Sequence, residues 1–131
     1  YPMDVEVTKN LFQEFISNEH LGKSWLIYSE SEIVGYIILT FIFSFEYGGK
    51  IAFVDELFIQ ETARGKGIGS EMMAICLQAA KDFGFEQCYL ETMPFMHSAQ
   101  KLYKKTGFEY LCSAMGNTGH SSCPVWMLKD L

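Results

Sequence analysis

A chain of 131 residues with a formal net charge of −6 at pH 7 is long enough to bury one continuous core and too short for two. With 49% apolar and 20% charged residues it has the balance of a folded globular domain, which excludes a disordered tail. The acidic excess argues against nucleic acid as a partner, because phosphate binding needs a basic surface; a cationic small molecule or a lysine-bearing peptide fits better.

The N-terminal third reads as a helix followed by strands. Thr8 is placed as an N-cap, and Leu11, Phe12, Phe15 and Ile16 follow at helical spacing, which predicts an amphipathic helix to about Asn18 with its apolar face on a sheet. Trp25 to Tyr28 is predicted as a strand, Ser29 to Glu32 as a tight polar turn, and Ile33 to Phe45 as a long strand rich in β-branched and aromatic residues. The last of these is interrupted by Gly35, Tyr36, Thr40 and Ser44 and is shorter than the roughly 20 residues of a spanning helix. No basic region followed by an apolar run opens the chain, so the expectation is a cytoplasmic protein with no membrane association. A turn at Tyr47-Gly48-Gly49-Lys50 leads to a third strand, Ile51 to Ile59, completing an antiparallel meander.

The period then changes. From Gly67 to Phe83 the residues Ile68, Met72, Ile75, Cys76, Ala79, Ala80 and Phe83 recur at three and four, predicting a long helix ended at Gly84. Cys88 to Glu91 is a short strand, parallel to the third. After Pro94, His97 to Thr106 makes a second helix with Lys104 and Lys105 at its negative end and Gly107 beyond it. Phe108 to Cys112 and Val125 to Leu128 are closing strands around the loop Ala114 to Pro124. The cysteines Cys76, Cys88, Cys112 and Cys123 form no C-x-x-C pair and have no histidine at ligand spacing, so no metal site is expected. Cys76 and Cys88 lie in apolar patterns and read as small buried hydrophobes.

The segment Gln60 to Ser70 carries the strongest chemical signal. Gly65, Gly67 and Gly69 lie between an apolar strand and the long helix; without side chains they let the backbone approach a ligand, and the helix N-terminus beyond them offers unpaired N–H groups. Arg64 and Lys66 add two cations, suited to a diphosphate more than to a single carboxylate. Neither a nucleotide-triphosphate loop nor a G-x-G-x-x-G dinucleotide fingerprint matches, because Gln60 and Ser70 stand where those patterns need glycine.

The run Arg64-Gly65-Lys66-Gly67-Ile68-Gly69 resembles the R-x-x-G-x-G pyrophosphate motif of the GNAT superfamily of acyl-CoA-dependent N-acyltransferases. Ser98 to Phe108, with its Ala99, Leu102-Tyr103 and Gly107-Phe108, resembles that family's second signature, and the likeness spans roughly Trp25 to Leu128. The resemblance implies an α/β (α+β) domain over residues 1–131, with a mixed, mostly antiparallel sheet flanked by helices and splayed central strands, lacking the family's usual N-terminal strand and helix. It implies that Arg64, Gly65, Lys66, Gly67, Ile68, Gly69 and Ser70 hold the pyrophosphate of acetyl-CoA as co-substrate. Leu57, Phe58 and Ile59 would pair through their backbone with the pantetheine arm, and His97, where the family usually has asparagine, would stand beside that arm. Tyr103 is implied as the acid that protonates the departing thiolate.

Such a reaction needs a base for the acceptor's ammonium. Asp55 and Glu56 are adjacent on the central strand, so alternation predicts that only one faces the cleft; the resemblance favours Asp55 as base or substrate anchor, with Glu56 second. The loop residues Asn117 and His120 are candidates for acceptor contact, His120 also as a base at neutral pH. The expected activity is N-acetyl transfer to a primary amine of a small molecule or peptide, by direct attack in a ternary complex, since no cysteine sits beside a base in any motif. The alternative is a non-catalytic CoA-binding regulatory module. The exposed edges of so short a sheet are compatible with a homodimer.

Overall fold

The computed structural model describes residues 5–45, 49–111 and 125–131. In chain order it contains helix α1 (Val5–Ile16), strands β1 (Gly22–Ser29), β2 (Glu32–Ser44) and β3 (Gly49–Ile59), a 3-10 turn over Glu61–Ala63, helix α2 (Ile68–Asp82), strand β4 (Gln87–Thr92), helix α3 (His97–Lys105), and strands β5 (Glu109–Leu111) and β6 (Val125–Asp130). The strands form one sheet of six in the order β1-β2-β3-β4-β6-β5. Only β3 and β4 run parallel; the other pairings are antiparallel. The mixed, mostly antiparallel sheet follows the sequence reading, including the meander and the parallel step through a helix.

The two faces of the sheet carry separate apolar sets, as strand alternation requires. Ile37, Leu39, Ala52, Val54, Cys88, Leu90 and Met127 point to one face and pack with Met73, Cys76, Leu77 and Ala80 of α2 and with Tyr103 and Phe108. Ile51, Phe53 and Tyr89 point to the other, with Leu111, Trp126 and Leu128 against them. The period of three and four in α2 therefore has a plain cause: its apolar stripe covers the first face. Cys76 and Cys88 are fully buried; desolvation pushes the Cys76 thiol up to about 12 and Cys88 higher still, so both are packing groups and not nucleophiles.

Two expectations fail. The first helix begins at Val5, so Thr8 lies inside it and caps nothing. The predicted packing of its apolar face on the sheet holds only at Phe15: no residue of α1 is buried, and Leu11 and Ile16 are 60% and 59% exposed. The reason is its position. α1 lies against the edge strand β1, where the Phe15 ring sits over Gly22, too close for any side chain there. Among the described residues no helix is long and apolar enough to cross a membrane.

The core should respond to truncation in proportion to burial. Leu39 is fully buried whereas Phe43, at the end of the same strand, is 65% exposed. Leu39→Ala is expected to lower the unfolding free energy by about 2–5 kcal/mol, and Phe43→Ala by less than about 1 kcal/mol, as read from urea denaturation midpoints.

Candidate functional site

The site begins where sheet pairing stops. β3 and β4 pair only at Ala52↔Cys88, Phe53↔Tyr89 and Val54↔Leu90, although β3 runs on to Ile59 and β4 to Thr92. Beyond Val54 the strands therefore part, in the splayed arrangement that the resemblance implies. The side of Leu57, Phe58 and Ile59 that faces β2 is taken, with Ile37, Tyr36 and Gly35 as partners. Their other side has no strand beside it among the described residues, and such an edge accepts an extended ligand as an added strand.

A register shift marks the same place. Leu39 pairs with Val54 but Ile38 pairs with Glu56, so Asp55 is an extra residue, a β-bulge. This corrects the expectation that Asp55 and Glu56 alternate between opposite faces of the strand. Val54 and Leu57, three apart, both pack on the helix-bearing face, and the two carboxylates between them are both exposed. Alternation fails here because the bulge inserts a residue. The hydroxyl of Tyr36 donates to Glu56 Oε1 at 3.0 Å, fixing that carboxylate on the face away from the helices.

The loop after β3 has the form of an anion cradle. Gly65 and Gly67 adopt φ of 78° and 79°, the left-handed region that favours glycine, and a Cβ at either would meet nothing within 4 Å. Gly67 is the N-cap of α2, so the first N–H groups of the helix at Ile68, Gly69 and Ser70 have no carbonyl of their own turn to bond. They lie next to the glycines in the chain, at the positive end of a 15-residue helix. Arg64 Nε donates to the carbonyl of Ile59 at 2.9 Å, which ties the loop to the end of β3. Gly69 acts through its size: a Cβ there would lie 3.0 Å from Leu102 of α3, so its small side lets α2 and α3 approach. These features fit a diphosphate-bearing ligand. A cavity of about 270 Å³, bordered by Glu30, Glu32, Gln60 and Lys66, lies on the β2 side of the loop.

Tyr103, on α3, packs in the same buried cluster as Val54 and Leu90, the last paired residues. It is 7% exposed, and burial raises its pKa to about 12, so its phenol stays protonated across the ordinary pH range. His97 is the first residue of α3 and is exposed. Asn117 and His120 lie outside the described residues. One carboxylate that sequence reasoning misses stands at the opening: Glu91, directly after Leu90 on β4, accepts from the Tyr89 hydroxyl at 2.9 Å and faces Trp126 across the β4–β6 pair. A single carboxylate ending an apolar strand is the signal that marks it. Among the described residues no group of three or more His, Cys, Asp or Glu is arranged to hold a metal ion.

A family model described as the acetyltransferase (GNAT) family matches residues 2–108. The chain belongs to the GNAT acetyltransferase family. It is 34% identical over 107 residues to the uncharacterized N-acetyltransferase YjgM of Escherichia coli, a match covering 82% of this chain and 63% of that protein. It is 30% identical over 84 residues to the thialysine N-epsilon-acetyltransferase of Bos taurus, covering 64% of this chain and 49% of the relative. The GNAT chain thus spans about half to two-thirds of the length of these relatives. Among solved structures, an integron cassette protein from the mobile metagenome of Cole Harbour Salt Marsh superposes with a TM-score of 0.77 at 31% identity, over 92% of this chain and 74% of that one. A GNAT acetyltransferase from Elizabethkingia anophelis with acetyl-CoA bound shares the fold at a TM-score of 0.68 and 17% identity, over 100% of this chain and 92% of that one.

The cradle can be tested apart from any chemistry. Valine at position 67 must leave the left-handed conformation or strain it, at a cost of at least about 1–2 kcal/mol. Gly67→Val is expected to weaken CoA binding by about tenfold or more in calorimetry, whereas Gly84→Val, at a positive φ remote from the cradle, should lower stability and leave the CoA affinity within about twofold.

Proposed function

We propose that this GNAT chain transfers an acetyl group from acetyl-CoA to a primary amine of a small molecule or peptide, by direct attack within a ternary complex. The observation that carries the reading is a coincidence of place. The anion cradle opens where β3 ends, the free side of β3 begins after Val54, and the buried phenol of Tyr103 packs in the cluster that holds Val54 and Leu90, the last paired residues. In this reading the pyrophosphate lies on residues 64–70, the pantetheine arm pairs with the free side of Leu57 to Ile59, and the thioester reaches the opening beside Leu90. His97 stands beside the arm at the start of α3. The likeness to a thialysine N-epsilon-acetyltransferase supports a small amine-bearing acceptor, and the acetyl-CoA-bound structure supports the donor.

The reaction then follows from the groups at hand. The neutral amine attacks the thioester carbonyl, a C–N bond forms, and collapse of the tetrahedral adduct breaks the C–S bond. The ammonium proton goes to a carboxylate at the opening; Glu91 is assigned this role because the Tyr89 hydroxyl holds it in place, and Asp55 on the bulge anchors the acceptor. Tyr103 donates a hydrogen bond to the sulfur as negative charge develops there.

Tyr103→Phe is expected to lower kcat by about 10²–10⁴-fold and to leave acetyl-CoA binding intact. Because the folded pKa is raised, to about 12, the protonated phenol is present at every lower pH. No alkaline loss of activity below about pH 11 should therefore be removed by that substitution. Full turnover in the Phe variant would dismiss the role. Acetyl-CoA binding without amine-dependent thiol release, across a panel of amines, would replace the enzyme by a non-catalytic CoA-binding module.

A further inference from the structure

The opening has a second feature that acetyl transfer to a simple amine does not use. On the face away from the helices, the rings of Tyr36 of β2 and Phe58 of β3 lie side by side, tilted by 34° with centroids 5.9 Å apart, and the Tyr36 hydroxyl holds the exposed Glu56 carboxylate at 3.0 Å. Phe58 is 46% exposed, a large apolar ring left at the surface next to a charge. A carboxylate held in place beside aromatic faces attracts an organic cation through both charge and the ring quadrupole.

This cluster is on the acceptor's side. Glu56 and Glu91 both project from the face opposite α2 and α3: Val54 and Leu57, which flank the Asp55-Glu56 pair, belong to the helix-side core, whereas Tyr89, bonded to Glu91, belongs to the opposite cluster. Glu91 directly follows the last paired residue of β4, and Glu56 directly follows the bulge residue of β3. Both stand beyond the last β3–β4 pair, so the parted strands hold the two carboxylates farther apart than one interstrand spacing of about 5 Å.

We propose that Glu56, Tyr36 and Phe58 form a second cation subsite, so that the acceptor is an amine carrying a further cationic group more than one interstrand spacing, about 5 Å, from the nitrogen that is acetylated. One carboxylate serves the reacting amine and the other holds the distal cation, which fixes the acceptor's direction in the opening. Glu56 is then a specificity-determining residue: the Tyr36 hydroxyl draws its carboxylate toward β2, one residue beyond the bulge, whereas Glu91 lies on β4 across the opening. The inference rests on the acetyl-transfer reading above and specifies its acceptor.

The test compares cadaverine with n-pentylamine, which has the same carbon chain and one cation fewer, using acetyl-CoA-dependent thiol release by the whole chain. The expected kcat/KM favours cadaverine by about tenfold or more. Glu56→Gln, whose amide oxygen still accepts from Tyr36 while its charge is gone, should bring the ratio of the two kcat/KM values close to unity. Equal use of both amines by the wild-type chain overturns the subsite and leaves the acetyl-transfer reading standing. A Glu56→Gln variant that slows both amines alike and keeps their ratio makes Glu56 a base or a structural residue, and also overturns it. Calorimetry of cadaverine against the CoA-loaded chain separates the two readings. Binding that weakens about tenfold in Glu56→Gln, with no turnover, supports the subsite and sinks the enzyme; no binding and no turnover sink both.

Discussion

The structure turns on one interruption, the end of hydrogen bonding between β3 and β4 after Val54 and Leu90. Backbone N–H and C=O groups in the interior of a sheet are ordinarily paired, because leaving them without partners is costly. Here two neighbouring strands in the middle of a six-stranded sheet separate before either ends. The bulge at Asp55 accompanies the separation: an extra residue on β3, absorbed against β2, raises the local twist and turns the far half of the strand away from β4. An edge that would sit at the rim of an ordinary sheet is thereby created at its centre, where a ligand can lie flanked by structure on both sides.

The helices are arranged around that edge. β3 ends at Ile59 and α2 is capped at Gly67, so the helix's N-terminal N–H groups open at the same end of the sheet as the parted strands. Arg64 binds the Ile59 carbonyl and thereby fixes the distance between strand end and loop. Gly69 lies against Leu102 of α3, and Leu102 and Tyr103 both pack in the helix-side core. The glycines of one short run thus do unlike things: two meet a backbone demand, and the third stands where α2 meets a side chain of α3.

Much of this is legible in the sequence because its signals are local. Alternation, the helical period from Ile68 to Ala80, and the punctuation at Gly84 and Gly107 place the elements to within a few residues. The glycine run is legible because glycine and cation together at a strand-to-helix turn have few purely structural causes. The bulge is not, since Val54-Asp55-Glu56-Leu57 reads as ordinary alternation when each residue is taken in turn. It shows only in the register against β2, a contact between residues far apart in sequence. Alternation alone therefore sends the two carboxylates to opposite faces, and it gives no weight to Glu91, whose partners Tyr89 and Trp126 are fixed by the strand and its cross-strand neighbour. The exposed α1 escapes prediction for the same kind of reason: its periodicity predicts a helix but says nothing of how much sheet lies beneath it.

The burial of Tyr103 also limits what its proton can do. A thiol of the ordinary kind has a pKa near 8.5, well below the value of about 12 at Tyr103. Burial therefore makes the phenol a weaker acid than an exposed tyrosine. A group so placed serves better as a hydrogen-bond donor in the transition state than as a source of protons, because the donor is present at every working pH and needs no recharging after each turnover. In the proposed reaction the proton that ends on sulfur comes from the acceptor's own ammonium, by way of the carboxylate at the opening or water. The same desolvation that weakens the phenol as an acid strengthens its hydrogen bond to a charged sulfur, since both effects come from the low dielectric of the core. In the proposed reaction the packing that buries Tyr103 in the helix-side core is then part of the chemistry, because it keeps water away from that bond.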